Sequence, residues 1–274
     1  MDRNIQNEET TCKCSNFYQI NSFYSKLVFM PPGMDESYRN VNYHHKIKSK
    51  NGNLISYFEY KPSEIKYNYN SPKPKIIIWS HGNAMNSYGM EYYFKHICKI
   101  TNVIVIAYDY QGYGFSEGSC SENNCYEDLE AIIEHVKNKY MANHKNIYLI
   151  GQSLGTGVIV DYISNHKWTT PVMLISPYKS IIRIMAPTLG NYVGWFDMFN
   201  SISKINTIKC PVKIIHGLDD DIVDISHGKD LYNSLPNKTL DPLWLKNCNH
   251  NNIIDHLLFM HSDRTNVFKE LLNN

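Results

Sequence analysis

From about residue 75 the chain alternates short apolar, β-branched runs with amphipathic stretches of helical length, and this alternation constrains the fold most. The runs are Lys75–Ser80, Asn102–Tyr108, Asn146–Ile150, Val172–Ile175 and Val212–Ile215, with a weaker sixth at Asp241–Leu245. They are almost continuously apolar, as strands buried on both faces must be. Between them, Tyr126–Tyr140 sets Leu129, Ile132, Ile133 and Val136 on one stripe and Glu127, Asp128, Glu130 and Glu134 elsewhere. Leu154–Ser164, Ser226–Leu235 and Leu257–Leu272 have the same character. Such an order implies right-handed crossovers and an α/β fold, with a mostly parallel central sheet and helices on both faces. Upstream, Lys46–Lys48 and Leu54–Tyr60 flank a turn at Asn51-Gly52 and read as an antiparallel hairpin. The expected organisation is an N-terminal extension over residues 1–39 and one α/β domain over 40–274.

The first chemical signal sits at the end of the third run. Gly151-Gln152-Ser153-Leu154-Gly155 fits G-x-S-x-G, with a strand before it and a helix-compatible run after it. A serine on so tight a strand-to-helix turn needs small residues two positions away on either side. The helix behind would aim its positive end at charge forming near Ser153. Such a serine needs a base, and the base an orienting acid, in the chain order serine, acid, histidine. The next strand end with carboxylates is His216-Gly217-Leu218-Asp219-Asp220-Asp221. Asp220 is favoured there, but spacing leaves Asp219 and Asp221 open. For the base, His250 lies in the polar loop Asn247–Asn251, directly after the last run, whereas His256 and His261 fall inside a helical pattern. His81-Gly82-Asn83-Ala84 follows the first run, where an oxyanion loop belongs. The backbone N–H groups of Asn83 (Ala84 as the lesser choice) and Leu154 are the candidate donors, and His81 is read as a brace for the loop.

Other chemistries fit less well. Gly112-Tyr113-Gly114-Phe115-Ser116-Glu117 carries Glu117 where a dinucleotide fingerprint needs glycine, and no P-loop is present. No cofactor is therefore expected. Lys and Arg number 27 against 26 Asp and Glu, a formal charge of +1, which disfavours nucleic acid as a partner. Cys12 and Cys14 lack a second ligand pair, so no metal is expected. The longest clean apolar run, Val103–Tyr108, falls far short of the ~20 residues a spanning helix needs. Seven cysteines at irregular spacing, with a polar start to the chain, point to free thiols in a reducing, cytoplasmic setting.

A wider set of residues carries a family resemblance. It comprises His81-Gly82-Asn83-Ala84, Tyr108-Asp109-Tyr110 with Gly112-Tyr113-Gly114, Gly151-Gln152-Ser153 with Gly155-Thr156, Ser176-Pro177, Trp195-Phe196-Asp197 with Phe199-Asn200, and Ile215-His216-Gly217. Asp224 with Ser226-His227-Gly228, Pro242-Leu243-Trp244 and His250-Asn251 extend it. Over roughly residues 75–270 the chain resembles the α/β-hydrolase-domain-17 protein depalmitoylases. The resemblance implies an α/β-hydrolase fold, a triad of Ser153, Asp220 and His250, and a long-chain thioester of a membrane protein as substrate. It also implies acylation of a cysteine cluster, here thinned to Cys12 and Cys14, that attaches the protein to membranes. Two positions depart from the family: Asn249 replaces its usual glycine, and Asn252 its usual acidic residue.

The residues themselves allow an amphipathic N-terminal helix bearing Phe17, Ile20, Tyr24, Leu27 and Val28, ended by Pro31-Pro32. Packing of that helix on its own domain is the competing reading. The apolar segment Pro177–Phe199 is expected to form a small cap over an acyl groove, against a plain core helix. A monomeric serine hydrolase acting on acyl thioesters or esters is the leading expectation. A lipase or carboxylesterase on small acyl esters and an inert hydrolase-fold binding scaffold are the alternatives.

Overall fold

The computed structural model describes residues 28–62, 73–186, 197–260 and 266–274. Residues 28–30 belong to an N-terminal unit, Met1–Met30, while the sheet and its helices lie in the unit Pro31–Asn274. Cys12, Cys14, Phe17, Ile20, Tyr24 and Leu27 lie outside the described residues, as do Leu189, Tyr192, Trp195 and His261.

The described strands form one eight-stranded sheet: β1 (His44–Lys48), β2 (Leu54–Tyr60), β3 (Ile76–Ser80), β4 (Ile104–Tyr108), β5 (Ile147–Gln152), β6 (Val172–Ile175), β7 (Val212–Gly217) and β8 (Leu243–Leu245). Their order across the sheet is β1-β2-β4-β3-β5-β6-β7-β8. The β1–β2 and β2–β4 pairs are antiparallel and the rest parallel, so the hairpin leads into an otherwise parallel sheet. Every position of β3 through β7 is buried, which accounts for their unbroken apolar runs.

The helices are α1 (Glu91–Thr101), α2 (Glu122–Tyr140), α3 (Leu154–Asn165), α4 (Ile181–Met185), α5 (Ile225–Ser234), α6 (Ile253–Asp255) and α7 (Asn266–Asn273). α1 is absent from the sequence expectation. Phe94, Ile97 and Cys98 form its buried face at helical spacing, amid aromatic and β-branched residues that read equally as strand. α2 starts four residues before the amphipathic pattern, because Ser121 caps it by accepting a hydrogen bond from the Asn124 N–H at 3.1 Å. Asp128, read as off the apolar stripe, is buried. It accepts hydrogen bonds from the backbone and side-chain N–H of Gln111, both at 2.8 Å, and so ties α2 to the loop after β4. Burial pushes its carboxyl up to about 7 against those bonds.

Within the expected helix over 257–272, the described residues form a π-helical turn at His256–Met260, following α6, and α7 from Asn266; residues 261–265 lie outside the described residues. Leu257 and Leu258 are buried on the first piece and Val267, Phe268, Leu271 and Leu272 on the second. In the expected cap, Ser180 caps α4, while Asp197 accepts from Arg183 Nη1 at 2.6 Å and from the Ile182 N–H at 3.3 Å.

Glu59 on β2 joins the sheet to the C-terminal end of α2. Lys139 and Lys61 lie 2.8 and 2.9 Å from its carboxylate, and Tyr140 donates to it. Burial alone would raise its pKa, but hydrogen bonds from Lys139, Tyr140 and Lys61 outweigh it and hold the group at about 2. Glu59 therefore binds a proton more weakly folded than unfolded. Its stabilisation is present above an ordinary carboxylate value near 4.5 and is lost as pH falls through about 2. Urea midpoints for wild type and Glu59→Gln should differ at pH 7 and converge near pH 2; a pH-independent gap would show that ionisation is not the source.

Candidate active site

β3 and β5 are parallel neighbours with Ser80 in register with Gly151, so the chain leaves both strands side by side on one rim of the sheet. Sequence-distant strands meet between β3 and β5, the kind of switch point where open α/β sheets bind ligands. β7 and β8 end on the same rim.

Ser153 joins β5 to α3 with φ 48° and ψ −115°, a backbone state that L-residues adopt only under strain. Neighbouring chain enforces it. The Ser153 N–H donates to Ile175 O at 2.9 Å, and the Ser153 carbonyl accepts from Thr156 N–H at 2.9 Å and from its hydroxyl at 2.7 Å. A β-carbon on Gly155 would lie 2.0 Å from the Ser80 carbonyl oxygen, and one on Gly151 2.6 Å from the Gly155 oxygen. Glycine at both places is what lets α3 start hard against β3 and β5.

His250 Nε2 lies 3.0 Å from Ser153 Oγ. Its Nδ1 lies 2.8 and 3.0 Å from the two carboxylate oxygens of Asp220. With the ring neutral, Nδ1–H donates to Asp220 and Nε2 offers its lone pair to the serine hydroxyl. Asp219 and Asp221 are exposed, whereas Asp220 is buried and is the aspartate that reaches His250.

Asp220 is held from several sides. Oδ1 accepts from the N–H groups of Ile222 at 3.1 Å and Val223 at 2.8 Å, and His216 Nε2 stands 3.3 Å from Oδ2. Burial alone would push this carboxyl up, yet hydrogen bonds from His216 and His250 hold it well below the usual carboxylate range. The acid and base loops are also zipped together. Leu218 N–H donates to Leu245 O at 2.8 Å and Asp219 N–H to Cys248 O at 3.0 Å, continuing the β7–β8 ladder past its last pair. Gly217 permits this, since a β-carbon there would lie 2.2 Å from the Cys248 oxygen.

Asn249 and Asn252 have a structural role around His250. Asn249 N–H donates to Asn252 Oδ1 at 2.9 Å, while Asn249 Oδ1 accepts from the N–H groups of Asn251 at 3.0 Å and Asn252 at 3.1 Å. The two side chains brace the loop around His250 from either side, in the manner of a capping box.

The loop after β3 reaches Ser153, with Gly82 beside it: a β-carbon on Gly82 would stand 3.4 Å from Ser153 Cβ. His81 is fully buried, its Nδ1 2.7 Å from Gly82 O, and burial pulls its pKa down to about 4. Tyr110 donates to His81 O at 2.8 Å, and Tyr113 donates to Asn83 Oδ1 at 2.6 Å. Leu154 opens α3, where first-turn N–H groups have no intrahelical acceptor. A serine, a histidine–aspartate pair and a helix end therefore face one point on the rim. Such an arrangement can deprotonate the serine and stabilise an oxyanion.

The fold has counterparts among known proteins. The model of the family described as "Serine aminopeptidase, S33" matches residues 71–200, a span that includes Ser153. A putative alpha/beta hydrolase of Acanthamoeba polyphaga mimivirus is 39% identical over 246 residues, 87% of this chain and 90% of that protein. The chain belongs to the α/β-hydrolase family. Alpha/beta hydrolase domain-containing protein 17C of Xenopus tropicalis is 36% identical over 199 residues, 72% of this hydrolase and 63% of the relative's length. The human 17C protein is 35% identical over 59% of its own length, so the chain spans about three fifths of these relatives. An esterase of Pyrococcus furiosus shares the fold at a TM-score of 0.66, with 20% identity over 89% of this chain and 97% of that one.

From the sequence, His216 and Tyr113 carry no assigned role at the site, Tyr110 belongs to a strand-end turn bordering its rim, and Asn249 and Asn252 are noted as departures that bear on the loop around His250. His216 offered one signal, its place four residues before Asp220 on the same strand end. The described residues contain no cluster of three or more His, Cys, Asp or Glu placed to hold a metal, and no helix long and apolar enough to cross a membrane.

Strain at Ser153 has a measurable consequence. Glycine tolerates the backbone angles of this turn, so Ser153→Gly should be more stable than Ser153→Ala by about 1 kcal/mol in chemical denaturation, despite glycine's usual disadvantage. Equal stabilities would mean that the turn is not strained.

Proposed function

We propose that this α/β-hydrolase is a serine hydrolase that cleaves long-chain acyl thioesters of proteins, a protein S-depalmitoylase. The observation that carries the reading is the hydrogen-bonded chain from Ser153 Oγ through His250 to Asp220, at 3.0 and 2.8 Å, standing at the N-terminal end of α3. Ser153 Oγ attacks the acyl carbonyl as His250 Nε2 takes its proton. Asp220 holds the imidazole in the tautomer that leaves Nε2 free to accept. The oxyanion is received by the backbone N–H groups of Leu154 and Asn83, each such donor contributing about 3 kcal/mol at the transition state. His250 returns the proton to the leaving thiolate or alkoxide, then activates water to clear the acyl-enzyme. Thioester specificity rests on the resemblance of residues 75–270 to the depalmitoylases. Esters need the same groups, so a carboxylesterase or lipase is the outcome to be separated by experiment.

Fluorophosphonate labelling tests the chemistry. Wild type should label and Ser153→Ala should not; a folded wild type that stays unlabelled would make the chain a binding scaffold. Ser153→Ala should also lower kcat by about 10,000-fold or more with KM little changed. Turnover of a palmitoyl thioester and of a long-chain acylglycerol by one preparation then decides the substrate class, and preference for the acylglycerol would defeat the thioester reading.

The same proposal places the protein peripherally on the cytoplasmic face of membranes through acylated Cys12 and Cys14, since stable anchoring takes two lipid signals or more. Full-length protein in cells should fractionate with membranes, and the Cys12→Ser, Cys14→Ser double variant should move to the soluble fraction. A double variant that stays with membranes rules out this anchor.

A further inference from the structure

Asp220 faces two histidines, and the proposed mechanism uses one of them. His216, the next-to-last residue of β7, is fully buried. Its Nε2 lies 2.7 Å from the Val223 carbonyl oxygen and 3.3 Å from Asp220 Oδ2. Both neighbours are acceptors, so the proton of the neutral ring sits on Nε2 and is shared between them. Nδ1 has no hydrogen-bond partner and is crowded by Gly228, where a β-carbon would lie 2.5 Å away. A buried ring with one nitrogen bare and the other aimed at the acid gains nothing from its polarity except those two contacts.

We infer that His216 is a positioning residue for the proposed reaction: its Nε2–H staples the Asp220 loop to β7 and fixes the carboxylate against His250. The loop from Leu218 to Val223 leaves the strand and returns to it. His216 grips the returning end at Val223 O, while Val223 and Ile222 N–H grip Asp220 Oδ1. That leaves Oδ2 directed between His216 and His250. The second donor also draws charge away from His250. Without it, the carboxylate would bind the His250 Nδ1–H more strongly. The other titratable groups near His216 are Asp224, at the start of α5, and His227 within it, and Lys179 and Asp230 lie beyond His227.

This inference rests on the proposed catalytic use of Asp220 and His250, and two variants test it. Leucine at 216 fills the space without a donor, whereas Gln keeps an N–H close to the position of Nε2. His216→Leu should lose about tenfold to 100-fold in kcat with KM within about twofold, the scale of a small misplacement of the acid. Its acid limb of kcat/KM should move to higher pH. His216→Gln should recover most of the rate and the wild-type limb. Independently of turnover, the low-field NMR resonance of the His250 Nδ1 proton should move in the Leu variant and return in the Gln variant.

Wild-type kcat and an unmoved resonance in His216→Leu would overturn the inference. Equal losses in both variants, with unchanged pH limbs, would overturn it too by making His216 a packing residue. If wild type neither labels nor turns over, the functional proposal fails. In that case a resonance that still follows residue 216 upholds the coupling of His216 to Asp220.

Discussion

Gly155 and the carbonyl of Ser80 stand so close that no side chain fits between them, and the geometry of the rim depends on that contact. It brings the start of α3 against β3 and β5 together, leaving the connection through Ser153 too short for relaxed backbone angles. The serine is presented at the helix end as a result, and the loop after β3 passes beside it at Gly82. The proposed nucleophile and oxyanion loop are thus set by sheet register rather than by contacts between their own side chains. The β5 turn carries the strain, and the strand-end bonds from Ile175 and Thr156 hold it there.

The acid and base reach the same point by a different route. β7 and β8 lie beyond β6, and β8 is only three residues long. Backbone bonds from Leu218 and Asp219 extend that short pairing into the loops and tie the segments that carry the aspartate and the histidine together. Burial then acts on the carboxylate. Alone in the interior Asp220 would be driven toward its neutral form, which could no longer hold the imidazole correctly. Donors from Ile222, Val223, His216 and His250 reverse this, and the acid stays ionised inside the protein. Asp128 shows the contrast. More deeply buried and with only the two bonds from Gln111, its carboxyl is pushed up rather than down.

Much of this was legible in the sequence, for physical reasons that can be named. Strands buried on both faces leave unbroken apolar runs, so β3 through β7 stood out, whereas α1 was hidden by aromatic residues that suit either state. Gly151 and Gly155 are visible because only glycine survives the close approach, and their spacing marks Ser153 directly. The aspartate was not legible in this way. Asp219, Asp220 and Asp221 are chemically equal in sequence and differ only in burial, which depends on how the β7 loop folds back. Asp128 illustrates the same limit from the other side, since a charged residue inside a helix pattern gives no sign that a distant glutamine amide awaits it.

Asn249 and Asn252 stand where the family resemblance implies a glycine and an acidic residue. A glycine before His250 would give the loop backbone freedom, and an acid two residues after it would add a charge. Here one asparagine receives the backbone N–H groups of residues 251 and 252, and the other receives that of residue 249. The exchange replaces freedom with reciprocal bonding and leaves no extra carboxylate beside the imidazole. The negative charge that His250 meets at hydrogen-bond distance then comes from Asp220, a carboxylate that it shares with the donors from Ile222, Val223 and His216.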